Sequence, residues 1–373
     1  MVRPAVWLLA LFAFTSVTVL GQEPKKPDVP PKEAEKFVTK EVAFDTADGV
    51  ELQGTLYPSV KGGTSPVVIL LHSFGKDPNL GEWKGLAITL AKKGFTVLRF
   101  DYRGHGKSTI IGNPKSFWND YPVNAKYMPA LANKSPLPKK LDMKDVTAKP
   151  GYFPVVVNDI MAARVALDKM NDAGDVNTSS VYLIGSTDAA TAGLMYLAVE
   201  WSRPQVIEQA RNWSEIGPLK LPNNIDSAGK DIAGAIWLSA ERHPSIPAET
   251  VKNWVSLDSA IELRDKNPML FLYGGKDTTK TGASSAKFFV NEVLVAKPPK
   301  GTKISPLTFT EYSEVKDSKL VGVNLLGVPG TEDTIVKYLE TLEKDRKNVV
   351  RTPNRNWTKP PYILGNLYGA YKN

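Results

Sequence analysis

The chain contains no cysteine in its 373 residues. That excludes disulfide staples, thiol catalysis, thiolate metal sites and lipid anchoring through a cysteine. Histidine is nearly as scarce, with three in all, at His72, His105 and His243. Scattered this widely and lacking the His-Glu-x-x-His spacing, they do not suggest a metal centre, and no metal or cofactor is expected. Residues 1–21, "MVRPAVWLLALFAFTSVTVLG", place Arg3 before an apolar run too short to span a bilayer comfortably. We read it as a cleaved signal peptide, which makes the mature protein periplasmic or extracellular with no transmembrane span. An uncleaved N-terminal anchor is the alternative. Residues 22–36, rich in Pro, Lys and Glu, cannot bury enough apolar surface to fold and are expected to be a disordered linker. The net charge of +8 is spread along the chain rather than massed on one face, so nucleic acid is not an expected partner.

What the chain does have is an alternation of strand and helix patterns. From Phe37, "FVTKEVAFDTADGVELQGTLYPS" alternates around Asp48-Gly49 and predicts an antiparallel hairpin. "PVVILLH" and "FTVLRFD" are continuous apolar runs typical of strands buried on both faces, and "WKGLAITLAKKGF" between them has helical spacing. "VVVNDIMAARVALDKMNDAG" predicts a helix closed by Gly174, "SVYLIG" a strand and "AATAGLMYLAVEW" a helix. "IAGAIWLS", "PMLFLYGG" and "LTFTEYS" follow as strands, with "SSAKFFVNEVLVA" and "TEDTIVKYLETLEKD" as helices. This order implies an α/β fold with a mostly parallel, doubly wound sheet. Residues 109–153 interrupt the rhythm with seven Lys against three Asp and the aromatics Phe117, Trp118, Tyr121 and Tyr127, and are expected to form an irregular but ordered cap insertion. A second polar excursion covers 202–230. The aromatic, basic tail 349–373 is expected to lie along the body of the domain (37–348), anchored by Trp357 and Tyr362.

Three segments carry a resemblance: "LLHSFG" after the third strand, "DYRGHGKS" after the fourth, and "YLIGSTDAATAG", Tyr182 to Gly193. Together they resemble the α/β-hydrolase fold, in particular its serine aminopeptidase, lysophospholipase and dienelactone hydrolase-like group. The resemblance covers about residues 37–346 and implies a nucleophile elbow, an oxyanion hole and a catalytic triad. Gly106-Lys107-Ser108 is no phosphate-binding loop, because Asp101 stands where that loop requires glycine.

In the resemblance, Gly185 ends the strand, Thr187 takes the nucleophile position and Ala189 replaces the second glycine of Gly-x-Ser-x-Gly. A β-branched residue at the elbow's positive φ is costly, so the strain either persists in Thr187 or has relaxed. Asp188 takes the place of the residue whose N–H faces the oxyanion, and its carboxylate opposes developing negative charge unless it turns away. Ser186, Thr187 and Asp188 have a plainer reading as caps of the following helix. Ser186 as nucleophile would put the serine at the strand end rather than the turn. His72, Ser73 and Phe74 form the segment that in the family lends a backbone N–H to the oxyanion hole, with Ser73 replacing its glycine. Asp277 in "LYGGKD" falls at the acid position, or is an ordinary turn residue. At the base position, aligning Gly322, Leu325 and Leu326 with the family pattern puts Val321. No histidine follows His243, which lies after the sixth strand and could approach Thr187 only from a loop not built for it.

The expectation is a catalytically degenerate, exported pseudoenzyme that binds a small-molecule or peptide ligand without acyl transfer. The alternatives are an esterase or peptidase using Thr187 or Ser186 with His243 and Asp277, and an envelope interaction protein using the basic cap and tail. Neither the ligand nor the oligomeric state follows from the sequence.

Overall fold

The computed structural model describes residues 37–78, 81–207, 221, 224–244, 246–255, 261–294, 310–346 and 349–363. The expected signal peptide and linker, most of the second excursion and tail residues 364–373 lie outside them. The hairpin forms as strands β1 (Lys40–Asp45) and β2 (Val50–Tyr57), antiparallel with Lys40 opposite Leu56. The buried apolar runs become β3 (Pro66–Leu71), β4 (Thr96–Phe100), β6 (Asn177–Ser186), β7 (Ile232–Leu238) and β8 (Met269–Gly274). β9 (Thr310–Val315) closes one edge, and a two-residue β5 (Ile110–Ile111) pairs with β2 from within the segment expected to be a cap. The sheet order is β1-β2-β4-β3-β6-β7-β8-β9, parallel from β4 onward. The chain winds one way from β3 to β4 and the other way from β6 to β9. β3 and β6 are therefore the switch point, where the carboxyl ends of an open parallel sheet leave a crevice.

Helices cover both faces. α1 (Gly81–Lys93) joins β3 to β4, and α6 (Val156–Ala173) precedes β6 and ends on Gly174 at φ +88°. α7 (Ala189–Ser202) is buried at every position because its sequence is apolar or small all round except at Glu200, which pairs with Arg203. Trp237 of β7 explains two of its surrounding glycines: a Cβ on Gly185 or on Gly193 would lie 2.9 or 2.3 Å from the indole. The helix thus approaches the strand through Gly193 rather than through the elbow position held by Ala189.

Residues 109–153 are less irregular than their composition suggests. Four short helices, α2 (Pro114–Asn119), α3 (Pro122–Tyr127), α4 (Pro129–Ala132) and α5 (Met143–Thr147), lead into a 3-10 turn over Pro150–Val155. Proline at the first turn of three of these helices places its missing N–H where no helical partner exists. Between β7 and β8 lie α8 (Ala248–Val255) and α9 (Ile261–Lys266), and α10 (Ala283–Phe288) passes into a widened turn through Leu294. α11 (Thr331–Asp345) packs beside α1. No helix among the described residues is long and apolar enough to cross a membrane.

Candidate functional site

Thr187 follows β6 directly and keeps φ at +53°. The strain of a β-branched residue in the left-handed region therefore persists, at a cost of about 1–3 kcal/mol. Two backbone bonds hold it there: Thr187 N–H donates to the Leu238 carbonyl at 2.9 Å, and Glu241 N–H donates to the Thr187 carbonyl at 2.9 Å. The neighbouring strand end repeats the feature. Ser239 follows β7 with φ +50°, and its buried hydroxyl has no hydrogen-bond partner among the described residues. Sequence reasoning missed Ser239, since nothing in "WLSAE" marks a positive φ.

The capping alternative for this stretch does not hold. Asp188 stands at the N-cap of α7 with helical φ and ψ, so its side chain is not placed to bond the first turn, and it makes no such bond. Thr187 Oγ1 donates to the Ser186 carbonyl at 2.8 Å, and Ser186 Oγ accepts from Val323 N–H at 3.1 Å. The Ser186 hydroxyl is thus committed to tying the last loop onto the elbow.

Asp188 does not turn away from the oxyanion position. Its Oδ1 accepts from Ser73 Oγ at 2.8 Å and from Phe74 N–H at 3.1 Å. The loop after the third strand is the source of one oxyanion donor in this fold, so a carboxylate of the chain itself occupies that donor. Burial raises the Asp188 carboxyl to about 6; the bonds from Ser73, Phe74 and Thr187 pull against the rise and Glu241 adds to it. His72 and His105 brace the same loop. His72 Nε2 accepts from Tyr102 N–H at 3.1 Å with Nδ1 at 2.9 Å from the Ser73 carbonyl, and His105 Nε2 accepts from Gly75 N–H at 2.8 Å with Nδ1 at 2.9 Å from the Arg103 carbonyl. Each ring accepts through Nε2, so each carries its proton on Nδ1. Burial pushes His72 down to about 3 and lowers His105, so both remain neutral.

Asp277 and Val321 complete the comparison with a triad. Asp277 accepts from Thr279 N–H at 2.8 Å, Thr279 Oγ1 at 2.6 Å and Thr281 Oγ1 at 2.6 Å. Burial acts to raise its carboxyl, but these bonds prevail and hold it below the usual carboxylate range. Among the described residues every bond to this carboxylate comes from its own turn. Val321 is extended at the head of a 3-10 turn over Gly322–Gly327. That turn reaches the elbow, because a Cβ on Gly322 would lie 2.5 Å from Ser186 Oγ and 3.0 Å from Thr187 Cγ2. Gly322, next to Val321, thus adjoins Thr187, and the Val321 side chain is an alkyl group that can accept no proton.

His243 faces Asp188 instead. Its Nε2 lies 4.0 Å from Asp188 Oδ2, and its ring stacks on Phe153 at 4.0 Å between centroids. Burial, with the positive Lys280 nearby, lowers it to about 4. Burial thus pushes the imidazole down and the carboxyl up, both against an ion pair between them. Phe74 and Phe153 pack 5.5 Å apart edge to face beside the imidazole, and Glu241 pairs with Lys280 nearby. Phe153 brings the 109–153 insertion to the site. Its neighbour Tyr152 explains how: the phenol accepts from Arg103 at 3.0 Å and donates to Asn124 at 2.7 Å. No cluster of three or more metal-ligating side chains occurs among the described residues.

A family model described as alpha/beta hydrolase fold matches residues 66–164. An uncharacterized protein of Mycobacterium tuberculosis is 30% identical over 118 residues, 30% of this chain and 40% of its own length. The uncharacterized protein YfhR of Escherichia coli K12 is 37% identical over 68 residues, 18% of this chain and 24% of its own length. The chain thus spans less than half the length of these curated relatives. Among solved structures, an esterase of Pyrococcus furiosus has a TM-score of 0.45 at 15% identity, covering 83% of this chain and 91% of that one. A dienelactone hydrolase of Anabaena variabilis has a TM-score of 0.41 at 12% identity, covering 82% and 98%. The sheet order and the family match over residues 66–164 show that the chain has the α/β-hydrolase fold.

Proposed function

We propose that this protein does not catalyse acyl transfer at its elbow and uses the residues around Thr187 and Asp188 to bind a small-molecule or peptide ligand. The observation that carries the reading is the Asp188 carboxylate on Phe74 N–H. An oxyanion forming there would meet a negative charge instead of a donor, and loss of a single such donor costs about 10²–10³ in turnover. A threonine hydroxyl also needs a base, and Val321 supplies none. Asp277, satisfied by Thr279 and Thr281, has no imidazole to orient.

One observation favours a hydrolase: the elbow's positive φ is retained at Thr187. An esterase or peptidase would then need His243 to serve the Thr187 hydroxyl, and it would have to leave its place against Asp188 and Phe153 to do so. Assay of the mature protein on short p-nitrophenyl esters and aminoacyl anilides decides between the two. The expected result is no turnover beyond that of Thr187→Ala. Turnover abolished by Thr187→Ala would overturn the proposal. We further propose export through residues 1–21, which N-terminal sequencing of the expressed protein would check by a start near residue 22.

A further inference from the structure

The two oxygens of Asp188 are treated differently. Oδ1 is satisfied by Ser73 and Phe74. Oδ2 accepts no hydrogen bond among the described residues, and the nearest basic atom is His243 Nε2 at 4.0 Å. The side chain is only 9% exposed. A carboxylate this deeply buried is costly unless a cation faces it. The surrounding groups do not supply one. His243 is held neutral, Lys280 is engaged by Glu241, and Tyr102, the other titratable side chain coupled to Asp188, is kept neutral by burial. Glu241 itself adds negative charge. The rings of Phe74, Phe153 and His243 cluster beside the carboxylate, with Phe74 and His243 6.5 Å apart. Aromatic faces beside an unneutralised carboxylate favour an organic cation over a neutral or anionic group.

Building on the binding reading above, we propose that Asp188 takes the ammonium group of a primary amine, which supplies the counterion that its Oδ2 lacks. The ammonium donates to Oδ2, and the carbon it carries lies against the aromatic rings. Esters and carboxylates are disfavoured at the same place, because the donors their oxygens require are already bound to Oδ1.

The test is isothermal titration of the mature protein with n-butylamine and benzylamine at pH 8, where amines that titrate near about 10 remain protonated. Benzyl alcohol and benzoate are the matched controls. The expected result is binding of both amines, with the controls at least about tenfold weaker. Asp188→Asn, which keeps an acceptor for Ser73 and Phe74, should weaken the amines about tenfold or more, with its fold checked by thermal melting. For the wild-type protein the affinity should drop between pH 7 and pH 5, as Asp188 takes up its proton. Amine binding that is absent, equal to that of benzyl alcohol, or unchanged in Asp188→Asn would overturn the inference. Thr187-dependent ester turnover would instead overturn the reading of function, whatever the amines do.

Discussion

A carboxylate placed one residue after the elbow apex ties binding and stability to the same proton. The Asp188 carboxyl lies at about 6 in the folded chain, above the ordinary 3.8, chiefly through burial. The folded state therefore holds more protons than the unfolded state between about pH 4 and pH 6. Stability is full below that window and falls as pH rises through it, by about 3 kcal/mol for a displacement of this size. Asp188→Asn removes the charge while keeping an acceptor for Ser73 and Phe74. It is expected to be more stable than the wild type at pH 8, by up to about 3 kcal/mol, with the difference closing towards pH 4. Urea denaturation at both pH values measures this, and equal midpoint differences at pH 4 and pH 8 would show that Asp188 is not the responsible group.

Arg103, in the turn after β4, joins elements that are far apart in sequence. It bonds Asp48 of the β1–β2 turn at 2.7 Å, Asp159 of α6 at 2.8 Å and Tyr152 of the 3-10 turn at 3.0 Å, and it is fully buried. Asn124 of α3 completes the cluster by donating to Asp48 at 3.0 Å. Arg103→Met leaves two buried carboxylates without their cation, at a cost of about 3–5 kcal/mol. The insertion should loosen first, so trypsin is expected to cut at the exposed Lys134, Lys139 and Lys140 well before the body of the domain is digested. Resistance equal to the wild type would contradict this. The cluster also marks the limit of what could be read from the sequence. Strand and helix order follows from local periodicity, and the elbow register follows from Gly185 and the run after it. Asp48 also reads locally, as a turn residue, but its buried partner is 55 positions away and leaves no local pattern. The bond from Phe74 N–H to Asp188 spans 114 positions, so only the folded chain reveals that this N–H is taken.

Across the whole molecule, the tail is joined to the sheet by charge as well as by apolar contact. Beneath α6 and α7, Arg164 bonds Asp168 at 3.0 Å and Asp231 at 2.8 Å, and Arg203 bonds Glu200 at 2.7 Å, all essentially inaccessible to solvent. Arg355 enters from the tail to pair with Asp231 at 3.0 Å, so three arginines meet three carboxylates. Trp357 follows it, donating to Asp168 at 3.1 Å under the Arg203 guanidinium, and Ile363 is fully buried. Breaking a buried ion network by removing one partner costs more than the network contributes, because the charge left behind is stranded. Arg355→Met leaves two guanidinium groups against three carboxylates and is expected to lower stability by about 3–5 kcal/mol. Lys359→Ala, at an exposed position of the same tail, should change it by no more than about 0.5 kcal/mol. Urea midpoints of the two variants beside the wild type give the comparison. If both shift alike, the tail is an outer wrapping of the domain. A large shift confined to Arg355→Met makes the tail part of the fold, which would leave Trp357 and its neighbours inside the protein rather than free to meet a partner.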